Sequence, residues 1–350
     1  MNIAVLVSGG VDSSVALKLL KDQGHSVTAF YLKIWLEDEL SFLGECPWQE
    51  DLSYVQAVCN QLNVPLQVIS LQKEYWDRVV RYTIAQVKAG YTPNPDILCN
   101  QQIKFGCFYD AVDTQFDAVA TGHYAQLVEN NNLKELHAAP DPIKDQTYFL
   151  SYLTQEQLQK AIFPIGALKK SEVRALAQQF NLPNKERRDS QGICFLGKLK
   201  FDEFLRYHLG TRVGPLVEIE TANQMGTHEG FWYYTIGQRQ GIGLSGGPWY
   251  VSAKNPSTNT VYISRTYYSP QKERKSCTVS NFNWISGSKP TNKQLLVKLR
   301  HGAQLHHGAL NFINENAAQL QLAENDQGIA PGQFAVFYDG SHCLGAGIIQ

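Results

Sequence analysis

The sequence predicts an α/β chain: an N-terminal parallel sheet covered by helices, then two small β-rich domains, the last a β-barrel. Three observations predict it. An apolar strand-like run, residues 3–7, passes through Ser8-Gly9-Gly10 into an amphipathic run over residues 11–20. Strand-like and helix-like segments then alternate up to about residue 200, the pattern of a parallel sheet buried on both faces. Beyond about Phe201, glycines, aromatics and short alternating runs take over, which is barrel-like strand content. The expected divisions are residues 1–200, 201–268 and 272–350.

Taken in order, residues 26–35 are rich in β-branched and aromatic side chains and read as a second strand. Residues 36–50 are acidic and irregular and read as a mobile loop. Helical spacing returns over residues 51–62 and 75–88, on either side of a short apolar strand at 66–71. A further strand at 117–120 ends in Thr121-Gly122-His123-Tyr124. Residues 171–180 read as one more helix, and the charged stretch 184–190 as an exposed loop. In parallel sheets ligands sit beyond the carboxyl ends of the strands, so Ser8, the acidic loop and Gly122-His123 are expected to converge. In the later half, Phe231-Trp232-Tyr233-Tyr234-Thr235, Trp249-Tyr250-Val251 and residues 260–263, 294–300 and 333–338 read as strands. Gly241-Ile242-Gly243-Leu244-Ser245-Gly246 is a literal G-x-G-x-x-G. A strand-like run follows it instead of a helix, so it reads as a glycine turn and not as a dinucleotide fingerprint.

Composition narrows the class. The 350 residues are 43% hydrophobic, enough for a folded core. No apolar run approaches the roughly 20 residues that cross a bilayer. The Ser8 loop begins so early that no leader is expected ahead of it, and a cytoplasmic location follows. The seven cysteines show neither a disulfide framework nor a CxxC pair, which fits a reducing compartment. A net charge of −1 leaves any nucleic-acid contact to local patches.

Three stretches carry chemistry. The first is Ser8-Gly9-Gly10-Val11-Asp12-Ser13-Ser14. Glycines let the backbone approach a ligand, the helix start offers free N–H groups and a positive dipole end, and serines add donors. This is an anion cradle suited to pyrophosphate, and it lacks the lysine of a Walker loop. The second stretch is Tyr91-Thr92-Pro93-Asn94-Pro95-Asp96-Ile97-Leu98-Cys99-Asn100. Asp96 is placed to cap a helix over residues 97–112. Cys99 then falls in its first turn, where the dipole favours a thiolate and Lys104 assists; a small buried residue beside a cap is the other reading. The third is Asp189-Ser190-Gln191-Gly192-Ile193-Cys194-Phe195-Leu196-Gly197, where Cys194 follows two arginines between glycines. That setting suits a nucleophile or a persulfide carrier. Cys59 and Cys107 read as core, and Cys46, Cys277 and Cys343 have no evident partner.

With Thr121-Gly122-His123-Tyr124, Lys144-Asp145-Gln146 and Thr235-Ile236-Gly237-Gln238-Arg239 added, the chain closely resembles the tRNA-specific 2-thiouridylases, over nearly its whole length. These belong to the ATP-pyrophosphatase, or adenine nucleotide alpha hydrolase-like, superfamily. The resemblance implies ATP and Mg2+ held by Leu6, Val7, Ser8, Gly9, Gly10, Val11, Asp12 and Ser13, with Leu32 and Gly122 beside the nucleotide. It implies a wobble uridine flipped out of tRNA, its 2-oxygen adenylated, and sulfur delivered from a persulfide on Cys194. Cys99 would assist release by pairing with Cys194 in a disulfide. Asn94, Pro95 and Asp96 would contact the target base, with Asp96 a general base. His123, Lys144, Asp145, Gln146, Arg300, His301 and Gln333 match positions that touch tRNA, and the central domain would bind tRNA. A sulfur-carrier protein is the implied donor. Without the resemblance, a pyrophosphatase-loop synthetase or amidotransferase and a non-catalytic tRNA-binding or sulfur-carrier protein stay open.

Overall fold

The computed structural model describes residues 1–34, 48–112, 115–189, 201–267 and 274–350. Cys194, Cys46, most of the acidic loop at 36–50 and the stretch from Ser190 onward to 200 lie outside them.

The first sheet has five parallel strands: β1 (Asn2–Leu6), β2 (Ser26–Lys33), β3 (Leu66–Ser70), β4 (Ala118–Ala120) and, after a hairpin of β5 (Ala125–Asn130) and β6 (Leu133–Ala138), β7 (Ala161–Ile162). Their spatial order is β3-β2-β1-β4-β7. The chain winds outward from β1 to one side, then returns to its other side at β4. The loop after β1 therefore sits at the point where the winding reverses, where open α/β sheets bind ligands. Side chains of β1 alternate between two cores. Ala4 and Leu6 pack with Phe30, Val79, Ile97 and Phe105, and Ile3 and Val5 with Val15, Leu17, Val27 and Val58. That is why residues 3–7 read as one unbroken apolar run.

The helices Val11–Asp22, Trp48–Leu62 and Lys170–Gln179 fall where periodicity predicts them. Residues 72–88 and 95–112 are each helical throughout but pass through π-helical turns at Trp76–Val80 and Cys99–Cys107. A wide turn advances the side-chain phase, and both stretches lie at the same core, around Tyr75, Val79, Cys99 and Ile103.

Two expectations for the later half need correction. Residues Phe201–Leu209 form an amphipathic helix, burying Phe204 and Leu205, where no helix was expected. Phe231–Tyr233 is a 3₁₀ turn and not a strand: Gly230 enters it at φ +150°, and Phe231 is buried in a small core with Trp249, Val251 and Ile263. Around it β8 (Gly214–Glu218), β9 (Gln224–His228), β10 (Tyr250–Asn255) and β11 (Thr260–Ser264) form a sheet in the order β10-β11-β8-β9. Gly241, Gly243 and Gly246 all take positive φ with no helix after them, as a glycine turn requires.

The last six strands are β12 (Ser276–Trp284), β13 (Gln294–Lys298), β14 (His306–Asn314), β15 (Ala317–Leu322), β16 (Phe334–Asp339) and β17 (His342–Ile349). They pair as β12-β15-β14-β13-β16-β17, and β12 pairs β17 to close an antiparallel barrel. Val279, Val297, Leu310, Leu320 and Phe337 fill its core. The hairpin from the first domain joins this sheet: β6 pairs antiparallel with β17 through His137–His342 and Leu136–Cys343. Sheet membership thus crosses the boundary that the chain's composition suggests.

Candidate nucleotide and tRNA site

The cradle after β1 is built from its own hydroxyls. Ser13 Oγ accepts from the Ser8 N–H at 3.2 Å and donates to the Gly10 carbonyl at 3.1 Å. Gly10 is the N-cap of the Val11–Asp22 helix and no side chain caps it, so the first N–H groups of the helix face the loop without a side-chain acceptor. Gly9 has φ +77°, and a Cβ there would meet the Asp51 carbonyl and the Arg187 guanidinium. Asn184 fixes the loop from behind, donating to the Gly9 carbonyl at 2.8 Å and to Ser14 Oγ at 2.9 Å. From the far side, a Cβ on Gly122 would lie 2.7 Å from the Ser13 nitrogen. Only glycine lets the end of β4 approach so closely. Leu32 lies next to the end of β2, among the partly buried residues packed on the first core.

Charge collects beside the cradle. Asp12 accepts from Lys170 Nζ at 2.7 Å and from the Tyr124 hydroxyl at 2.8 Å. The same Lys170 reaches Asp189 at 2.7 Å, as does Lys144, and Arg174 pairs with Asp189 too. Burial alone would raise the Asp189 carboxyl, but hydrogen bonds from Lys144 and Lys170 outweigh it and hold it well below the usual range. Arg187 pairs with Asp51 and lies over the Tyr54 ring. The result is a network of paired charges, four cations on three aspartates, along one side of the turn.

The segment of Cys99 packs next to it. Asn94, not Asp96, is the N-cap: its side chain accepts from the Ile97 N–H at 3.2 Å, and Pro95 occupies the first helical position. Asp96 points its side chain elsewhere, and its Oδ1 is buried with no hydrogen-bond partner. Cys99 follows the first turn and is fully buried. The dipole fades within one turn, so burial dominates and pushes the thiol up to about 11; the Lys104 ammonium pulls it down and the Asp96 carboxylate raises it. The expected thiolate at rest gives way to a protonated thiol. Lys104 donates to Asn100 at 3.0 Å. It also faces His123, which burial and that lysine hold well below the ordinary histidine range; His123 shares a 2.7 Å hydrogen bond with Thr121. Gly122 on the cradle and His123 beside Lys104 thus join the loop to the thiol.

The barrel closes the other side. Thr92 donates its N–H to the Pro331 carbonyl at 2.7 Å, and Gln333 returns a bond to the Thr92 carbonyl at 3.1 Å. The Tyr148 hydroxyl donates to Gln333 at 3.2 Å. Arg300 forms a two-pronged pair with Asp326 at 2.9 Å for each contact. His301 stands against the Phe149 ring at 4.5 Å. Gln146 accepts from the Tyr124 N–H at 3.0 Å. Asp145 is buried, bound to Lys298 and to the Thr147 hydroxyl.

Three family models match in succession: the tRNA methyl transferase HUP domain over residues 1–198, the tRNA methyl transferase PRC-barrel domain over 202–265, and the aminomethyltransferase beta-barrel domain over 274–349. The tRNA-specific 2-thiouridylase MnmA of Parabacteroides distasonis is 46% identical, covering 100% of this chain and 99% of its own. That of Porphyromonas gingivalis is 43% identical, with the same coverage. The chain belongs to the tRNA-specific 2-thiouridylase family.

In this member of the 2-thiouridylase family, Gly122 lies against Ser13, Lys104 acts electrostatically on His123 and Cys99, and Gln333 bonds Thr92, two residues before Asn94. Lys144 joins the Asp189 cluster next to the cradle. Arg300 and His301 stand on the barrel near Tyr148 and Phe149. Lys170, Arg187 and Asn184 escaped the reading of the sequence. No motif marks Lys170, and its role comes from a fold that returns the start of a late helix to Asp12. Arg187 and Asn184 lay in the charged loop already singled out, but their contacts with Gly9 and Asp51 are long-range.

Proposed function

We propose that the protein performs ATP-dependent 2-thiolation of the wobble uridine of tRNA. The observation that carries this reading is the close approach of Gly122 to Ser13, with His123 next in the chain and the Lys104 ammonium acting electrostatically on both His123 and the buried Cys99 thiol, near which one buried carboxylate oxygen of Asp96 has no hydrogen-bond partner. ATP would lie with its phosphates on Ser8 to Ser13 and its charge balanced by Lys170 and Arg187. Magnesium would neutralise phosphate charge there, and Asp12 is the acid within the cradle. Asn94, Pro95 and Asp96 would hold the base. The uridine 2-oxygen attacks the α-phosphate and pyrophosphate leaves. The terminal sulfur of a Cys194 persulfide then adds to C2 and AMP departs with the oxygen. The Cys99 thiol, losing its proton, attacks Cys194 Sγ. This leaves sulfur on the base and a Cys99–Cys194 disulfide, which an external thiol must reduce. A sulfur-carrier protein would reload Cys194.

The family descriptions name a methyl transferase and the relatives a thiouridylase; a cysteine against an adenylating loop favours the second. The test is tRNA-dependent AMP formation together with mass spectrometry of the product nucleoside. Oxygen replaced by sulfur at uridine is the expected outcome. An added methyl group, or pyrophosphate–ATP exchange that proceeds equally without tRNA, would overturn it.

A further inference from the structure

Where the first-domain hairpin meets the barrel, His137 of β6 lies directly across from His342 of β17. Their rings stack with centroids 4.9 Å apart and 17° between planes. Glu135 is two residues before His137, so the pleat puts both on one face of β6. The outer atoms of this pair are already held. Asn130 donates to Glu135 Oε1 at 2.8 Å, and His137 Nδ1 shares a 3.1 Å hydrogen bond with Ser341 Oγ. Glu135 Oε2 and His137 Nε2 share a 3.0 Å hydrogen bond. With one nitrogen of His342 they form a set of three ligand atoms lying within 4.8 Å of one another.

We propose that Glu135, His137 and His342 bind one divalent transition-metal ion, zinc or one of like chemistry, at the seam between hairpin and barrel. Two imidazoles and a carboxylate suit a borderline metal, whereas calcium and magnesium take oxygen ligands. Asn130 and Ser341 supply the outer hydrogen bonds that orient metal ligands and fix the histidine tautomer. Zinc sits about 2.0–2.2 Å from nitrogen and oxygen donors, so binding requires the stacked rings to turn toward a common point and the Glu135–His137 hydrogen bond to open. Three protein ligands leave a fourth position for water. The ion would cross-link β6 to β17, and none of its ligands belongs to the nucleotide cradle or the Cys99 segment.

The test uses the full-length protein, with zinc for calorimetry and cobalt as a spectroscopic probe. Expected is one equivalent of zinc bound, at least tenfold more weakly in Glu135→Gln, His137→Ala and His342→Ala, with a zinc-dependent rise in melting temperature that the variants lose. Cobalt bound at this site shows d–d bands without thiolate charge transfer, which separates it from capture by the cysteines. Zinc binding unchanged in the Glu135→Gln variant, a thiolate band from the bound cobalt, or no binding to the wild-type protein would each overturn the proposal. Glu135→Gln keeps the shape of the side chain, so a misfolded histidine variant does not decide the outcome.

Discussion

Lys298 of the barrel donates to Asp145 of the first domain at 2.7 Å, with the two side chains 6% and 2% exposed. The lysine also lies over the Tyr338 ring, whose hydroxyl meets Thr147 at 3.1 Å. Asp145 therefore spends its charge inside the protein, as a bracket between the loop after β6 and the barrel. Its neighbours Lys144 and Gln146, both half-buried, flank a fixed point of the interface.

Breaking that pair leaves an unmatched buried charge. Asp145→Ala or Lys298→Ala is expected to destabilise by about 3–5 kcal/mol, and the Asp145→Leu/Lys298→Met double variant by much less than the sum. Urea unfolding of the four proteins measures this. Additive losses would show that the pair is not coupled.

The cradle depends on Asp12 and Ser13. Asp12→Ala and Ser13→Ala are expected to abolish tRNA-dependent AMP formation while melting remains cooperative. Each hydrogen bond to a charged group contributes roughly 1.5–3 kcal/mol. Lys170→Ala is expected to slow the same step, removing the cation that Asp12 and Asp189 share while Tyr124 stays on Asp12 and Lys144 and Arg174 stay on Asp189. Normal AMP formation in both loop variants would remove the cradle from the mechanism.

Cys99 and Cys194 should separate by step. Cys194→Ser is expected to lose thiolation and keep AMP formation; Cys99→Ser is expected to lose multiple-turnover thiolation. Cys59→Ser and Cys107→Ser, both in the core, should stay active. Because burial raises the Cys99 thiol to about 11, iodoacetamide should modify it slowly near pH 7 and faster as pH approaches that value. The sign for stability agrees: a raised thiol adds stability below its unfolded value, and that contribution is lost as pH climbs through about 11. Rapid labelling of Cys99 in the free protein at pH 7 would contradict the buried, protonated state. Trapping turnover with a thiol blocker should yield a Cys99–Cys194 peptide.

Binding of tRNA should weaken with salt, since log affinity falls by about 0.7–0.9 per phosphate neutralised for each log unit of salt. Arg300, 42% exposed and aimed by Asp326, is expected to contribute. Arg300→Ala should lower affinity and reduce the salt slope, and leave the chemical step unchanged at saturating tRNA. Asp326→Asn should give a weaker version of the same defect. Filter binding across a salt series reads both, and a slope unaffected by Arg300→Ala would take this arginine off the RNA.

The sheet and the cradle were legible because their determinants are local. Apolar runs, a Ser-Gly-Gly turn and helical periodicity lie within 20 residues of one another. What escaped depends on distant partners. The 125–138 hairpin pairs with itself along its whole length, but its place on the barrel edge depends on β17, at the far end of the chain. Between the two readings of Cys99, a thiolate in a helix's first turn and a small buried residue, the structure decides for burial among Tyr75 and Ile103, which helix position alone does not reveal. The helix at Phe201–Leu209 is the exception: Phe201, Phe204, Leu205 and Leu209 stand at i, i+3, i+4 and i+8, a local signal passed over beside the strand-like, aromatic-rich runs that follow.

The hairpin also sets an order of assembly. His137 and Ser341, bonded across the seam, are 204 residues apart. On the ribosome the first sheet can close long before β17 exists, so β6 must wait with an open edge. Unpaired edges recruit other strands. A chain cut before His342 would carry that edge permanently and expose Leu136, which is fully buried in the finished protein. Such fragments should aggregate through the hairpin while their five-stranded sheet remains formed, which makes the final strand a seal on the first domain as well as a stave of the barrel.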